Sequence, residues 1–136
     1  MKQIMQLLCT TIVLSITQLT TNAQTITYAK DKADLHEYLK ITNINNKKIN
    51  YEIYTESGGC SAFKRKGTAN YVGNETEIDS DDNAFEVKQF VDKTKGCYVM
   101  IRMGDEKGYT NLAKFKVADC GTAATCKSES DLLKKQ

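Results

Sequence analysis

Tryptophan and proline are absent from this chain, and it has a single histidine, His36. One imidazole, beside Glu37, leaves little for a histidine-based metal site or general base, and a lone histidine is usually an ordinary surface residue. No Cys-x-x-Cys spacing occurs, and Ser57 and Ser61, which flank a Gly-Gly-Cys turn, sit in nothing like a nucleophile elbow. No catalytic residues and no cofactor are therefore expected. Basic excess is missing too. Lys2 is the only charged residue before Gln24, so 18 basic and 17 acidic residues remain beyond it, a balance that excludes a dedicated nucleic-acid binder. The missing tryptophan weakens a sugar-binding reading, although seven tyrosines can substitute in part.

Long apolar runs are confined to the start. Lys2 precedes an apolar stretch from Leu7 to Leu19 that is too short and too polar to span a bilayer. It fits the apolar region of a signal peptide, with Thr21-Asn22-Ala23 as the small-residue cleavage site, so residues 1–23 read as a leader. Leu7-Leu8-Cys9 lacks the small residues that lipid anchoring at Cys9 would need. The expected location is secreted or periplasmic, with no transmembrane segment in the mature chain. Residues 24–126 are then a single domain, large enough for one modest core, and 127–136 a polar tail.

Four cysteines follow the leader: Cys60, Cys97, Cys120 and Cys126. An even number in an exported chain predicts two disulfides. The short loop between Cys120 and Cys126 favours Cys120–Cys126 with Cys60–Cys97. A hairpin that sets Met103 opposite Leu112 and Cys97 opposite Ala118 brings Cys120 close instead, favouring Cys97–Cys120 with Cys60–Cys126.

The rest reads as short strands between turn-forming clusters. Ile49-Asn50-Tyr51-Glu52-Ile53-Tyr54 alternates most clearly, with Ile49, Tyr51 and Ile53 on one face, and it forms a hairpin with 35–44 across Asn45-Asn46-Lys47-Lys48. Further strands are expected at 25–29, 68–72, 85–91, 97–103 and 112–119. Gly73-Asn74 is expected to turn the chain, 75–83 to be an acidic loop or short edge strand, and Phe90, out of phase with Phe85 and Val87, to mark a bulge. The fold class is all-β, a small antiparallel sandwich or barrel of about six to seven strands. Its expected core is Leu39, Ile41, Ile49, Tyr51, Ile53, Ala69, Tyr71, Phe85, Val87, Val99, Ile101, Phe115 and Val117.

The stretch from Ile49 to Cys120 carries Ile49-x-Tyr51-x-Ile53, Gly59-Cys60, Gly67-Thr68-Ala69, Phe85-x-Val87, Cys97 and Phe115-x-Val117 before Cys120. This pattern resembles uncharacterised small exported bacterial β-barrel or sandwich proteins, and Asn22-Ala23-Gln24 resembles leader endings in Bacteroidota-type bacteria. The chain is also similar to the periplasmic lysozyme-inhibitor class of small disulfide-bearing barrels. It lacks that class's Ser-Gly-x-x-Tyr segment, so the inhibitory role does not carry over.

Three segments merit attention as sites. Lys64-Arg65-Lys66 is the one tight basic run, suited to an acidic glycan or lipid headgroup, or simply to a solvated strand end. Asp79, Asp81 and Asn83 imitate alternate calcium ligands, but Ala84 stands where a calcium loop needs glycine and Phe90 where it needs glutamate. The loops 58–66 and 104–111, the latter with Tyr109, combine glycine with charged or aromatic residues, as contact loops do. The expected function is a non-enzymatic exported module that binds a protein or an envelope glycan. The alternatives are an inhibitor of an envelope-directed hydrolase, or a small hydrolase.

Overall fold

The computed structural model describes residues 24–94, 96–120 and 129–136, with the side chains of 43 and 44 left aside. The expected leader and Cys126 lie outside the described residues. Eight strands follow one another: β1 (Thr25–Lys32), β2 (Leu35–Asn45), β3 (Lys48–Ser57), β4 (Phe63–Ile78), β5 (Ala84–Asp92), β6 (Tyr98–Gly104), β7 (Leu112–Ala118) and β8 (Leu133–Lys135). Each pairs antiparallel with the next, and β8 pairs with β1, closing a barrel. The chain is all-β as expected, with one strand more than the upper expectation.

Period-two alternation builds the interior. Leu39 and Ile41 on β2 face Ile53 and Tyr51 on β3. Ile101 and Val99 on β6 face Phe115 and Val117 on β7. These side chains form one buried cluster with Tyr28, Phe90 and Leu133, and each fully buried aliphatic residue contributes roughly 1.5–3 kcal/mol. The outward rows of β2, β3 and β4 carry residues such as Lys40, Glu52, Lys64 and Lys66, the reverse of a lipid-facing barrel wall. Among the described residues no helix is long and apolar enough to cross a membrane.

Several expectations change. The polar tail ends in a strand. Leu133 is fully buried opposite Ala113, so 133–135 belongs to the barrel. Gly73-Asn74 does not turn the chain. β4 runs through it for 16 residues, and a bulge between Tyr71 and Gly73 absorbs the irregularity, with Gly73 at φ 135°. The bulge thus lies in β4, opposite the expected position in β5. Phe90 points inward against Ile101, which sends Phe85 and Val87 to the outer face. They are nonetheless buried, and Tyr109 from the loop between β6 and β7 stacks on Phe85 at 4.3 Å. Tyr71, expected in the core, is 38% exposed at the barrel's end.

In an up-and-down barrel the turns alternate between ends. The β3–β4 and β5–β6 turns and the segment after β7 share one end, which holds Cys60, Cys97 and Cys120. Cys97 is bonded to Cys120, which overturns the Cys60–Cys97 and Cys120–Cys126 pairing. The hairpin register explains it: Tyr98, not Cys97, faces Ala118, so the two cysteines flank the last rung with Cα atoms 4.0 Å apart. Cys60 is also disulfide-bonded.

Candidate functional site

The outer face of β2, β3 and β4 carries two cross-strand rows of three side chains. The first is Tyr38, Tyr54 and Lys64; the second is Lys40, Glu52 and Lys66. The rows are adjacent because the β2–β3 turn sets the register. There the Asn45 side chain accepts the amides of Lys47 and Lys48, fixing a tight reversal.

The Tyr38 and Tyr54 rings stack at 5.2 Å with 8° between planes, and Lys40 Nζ lies 4.9 Å from the Tyr38 centroid. Such cation–ring contacts on an exposed face contribute about 0.5–1 kcal/mol. Glu52 is the hub. It accepts the Tyr38 hydroxyl at 2.7 Å and pairs with Lys66 at 2.9 Å and Lys64 at 3.3 Å. Lys66, then Tyr38 and Lys64, hold its carboxyl down at about 2, against the modest opposing effect of burial. Lys64 is raised in turn, chiefly by Glu52. Tyr38 is raised by burial and by Glu52, and Tyr54 by its hydrogen bond to Glu56. The face thus sets Lys64 and Lys66 on Glu52 and Lys40 over Tyr38, beside a two-ring aromatic platform whose Tyr54 hydroxyl donates to Glu56.

The basic run is split by the strand period. Lys64 and Lys66 point outward, whereas Arg65 points inward opposite Ile53. Its Nε is buried without a hydrogen-bond partner, near Tyr51 and Asp92. There Tyr51 donates to Asp92 at 2.7 Å, and burial together with this bond pushes the phenol up to about 12. Burial opposes the Asp92 charge, but Thr94, Tyr51 and Arg65 outweigh it and keep the carboxyl low.

The remaining candidates fall elsewhere. Tyr109 sits at the opposite end of the barrel from the cysteines, on Phe85, and donates to Asp79 at 3.2 Å. Asp79, Asp81 and Asn83 form a tight turn in which Asp79 Oδ1 accepts the amides of Asp81 and Asn83, both at 2.9 Å. The Asp79 carboxylate is spent on its own turn and on Tyr109. Among the described residues no three acidic, cysteine or histidine side chains converge on a metal position. His36 Nδ1 lies 3.0 Å from Asp31 Oδ1 on an exposed hairpin. Among the described residues no serine or cysteine hydrogen-bonds to this imidazole.

Tyr38, Lys40, Glu52 and Tyr54 were not singled out from the sequence as site residues, although a signal was present. Once Leu39, Ile41 and Ile53 are inward, period two turns all four outward, and the Asn45–Lys48 turn places Tyr38 beside Tyr54. No protein-family model, curated protein or solved structure matches the chain.

Proposed function

We propose that this protein is an exported, non-enzymatic binding module that holds an acidic envelope glycan against the outer face of β2–β4. The observation that carries the reading is the pair of rows Tyr38–Tyr54–Lys64 and Lys40–Glu52–Lys66. Sugar rings pack their apolar C–H faces on aromatic platforms, and carboxylated or sulfated sugars supply a second anion to lysines that share the single carboxylate of Glu52. Glu52 fixes the lysine spacing and accepts hydroxyl protons from a bound sugar.

Export is supported by the leader pattern of residues 1–23 and by disulfide bonding at Cys60, Cys97 and Cys120, which persists in oxidising compartments. The hydrolase alternative receives less support, since His36 has an acidic partner but no nucleophile at hand among the described residues.

The test is calorimetric titration with alginate oligosaccharides, a polyuronate, against neutral dextran. Alginate should bind with an affinity that falls as salt rises, and Lys64→Ala/Lys66→Ala or Tyr38→Ala/Tyr54→Ala should each weaken it at least tenfold. Equal retention of dextran, or affinity unchanged in both double variants, would overturn the proposal.

A further inference from the structure

Closing a barrel removes sheet edges, yet β4 outruns its neighbour on one side. It pairs with β3 only from Phe63 to Asn70, after which the Tyr71 amide makes a last bond to Lys47. On its other side it stays paired with β5 as far as Ile78. Residues 72–78 are therefore a strand with one open edge. Among the described residues the backbone groups along that edge have no strand partner, and Val72 and Ile78 are each 56% exposed there.

This projecting hairpin is acidic. From Val72 to Glu86 there are six carboxylates and no lysine or arginine. Glu77 is neutralised by Arg102 at 3.0 Å and Lys114 at 3.6 Å, and Asp79 is used by its turn. Glu75 stands on the outward face of β4, whereas Glu86 on β5 accepts from the Asn74 side chain and Glu106 accepts the Glu86 amide on the far side of β5.

We infer that the edge of β4 from Val72 to Ile78 accepts an extended basic segment of a partner protein as an added strand. Strand addition supplies affinity through main-chain hydrogen bonds and selectivity through alternate side chains. Here lysine or arginine side chains of the guest meet Glu75 in the acidic setting of the hairpin, and apolar ones cover Val72 and Ile78. A second copy of this chain is a poor occupant. The symmetric pairing that matches Val72 with Ile78 sets Glu75 against Glu75, and like charges directly opposite are destabilising. The inference is independent of the glycan face, which uses β4 only at Lys64 and Lys66, near the other end of the strand.

The experiment uses the mature protein and a nine-residue peptide of alternating lysine and valine, followed by amide hydrogen exchange and fluorescence anisotropy. Binding should slow exchange across 72–78. Glu75→Lys, a surface change that preserves the fold by circular dichroism, should weaken binding at least tenfold. A peptide N-methylated at alternate residues along its pairing edge should bind at least tenfold more weakly. No protection at 72–78, protection confined to the Tyr38–Lys66 face, or insensitivity to both Glu75→Lys and N-methylation would overturn the inference. So would sedimentation showing that the protein dimerises through this edge.

Discussion

Replacing Leu133 by alanine tests the closure of the barrel. β8 has three residues, and its ladder rests on Ala113↔Leu133 and Leu112↔Lys134 on one side and Ala29↔Lys134 and Tyr28↔Lys135 on the other. So short a strand cannot hold itself by hydrogen bonds alone. Leu133, fully buried among the inward residues, is its anchor. Truncating a buried leucine costs about 2–5 kcal/mol, of a total stability of roughly 5–15 kcal/mol. With a urea dependence of about 1–3 kcal/mol per molar, a loss near 3 kcal/mol moves the midpoint down by about 1–3 M. Urea unfolding followed by far-ultraviolet circular dichroism reads this directly. Lys134→Ala, at an exposed side chain on the same strand, should stay within about 0.5 kcal/mol. If Leu133→Ala were equally silent, the C-terminal segment would not be part of the core and the closure would be wrong.

Gly67→Ala should destabilise by about 1–3 kcal/mol in the same assay, because an added Cβ would lie 2.5 Å from Asp92 Oδ2 and 2.6 Å from the Tyr51 hydroxyl, both buried; wild-type stability would refute this packing. The Glu52 carboxyl is depressed from 4.5 to about 2, so its contribution is complete above pH 4.5 and is lost as pH falls toward 2. The melting temperature of the wild type should therefore drop more steeply than that of Glu52→Gln between those values, and parallel curves would contradict the hub. Removing the Cys97–Cys120 bond, which spans 23 residues, with a Cys97→Ala/Cys120→Ala pair should cost about 3 kcal/mol by chain entropy; equal urea midpoints would show that the bridge adds nothing. Tyr51 should be the last phenol to ionise in an alkaline absorbance titration, near pH 12, and Tyr51→Phe should remove that step.

Much of the barrel was legible because its strands alternate. The row Ile49, Tyr51, Ile53 identified β3, its inward face and its hairpin with β2, and 12 of the 13 expected core residues are buried. What was lost has physical reasons. A three-residue strand such as β8 is too short to display a period, so Leu132-Leu133 looked like a tail. Gly73 suggests a turn because glycine serves both turns and bulges, and only the partner strand distinguishes them. The alternation of β5 fits either register, and the one that turns Phe85 and Val87 inward is not the one adopted: Phe90 faces Ile101, and Phe85 is covered from outside by Tyr109, distant in sequence.

The site was half legible. Lys64 and Lys66 were visible as charges, but treating Lys64-Arg65-Lys66 as one patch ignored the strand period that sends Arg65 inward. The tyrosine pair requires cross-strand register, a non-local property that the β2–β3 turn sets and composition does not reveal. Cys97–Cys120 hung on a register of one residue, and the shorter loop between Cys120 and Cys126 was a misleading guide.

The most direct measurement is a nitrogen-15 chemical-shift map of the mature protein titrated with alginate oligosaccharides. Saturable shifts clustered on 36–42, 50–56 and 64–68, and abolished in Tyr38→Ala/Tyr54→Ala, are the expected result. Shifts that fail to saturate, or that cluster away from those three segments, would contradict the assignment of this face as the ligand-binding surface.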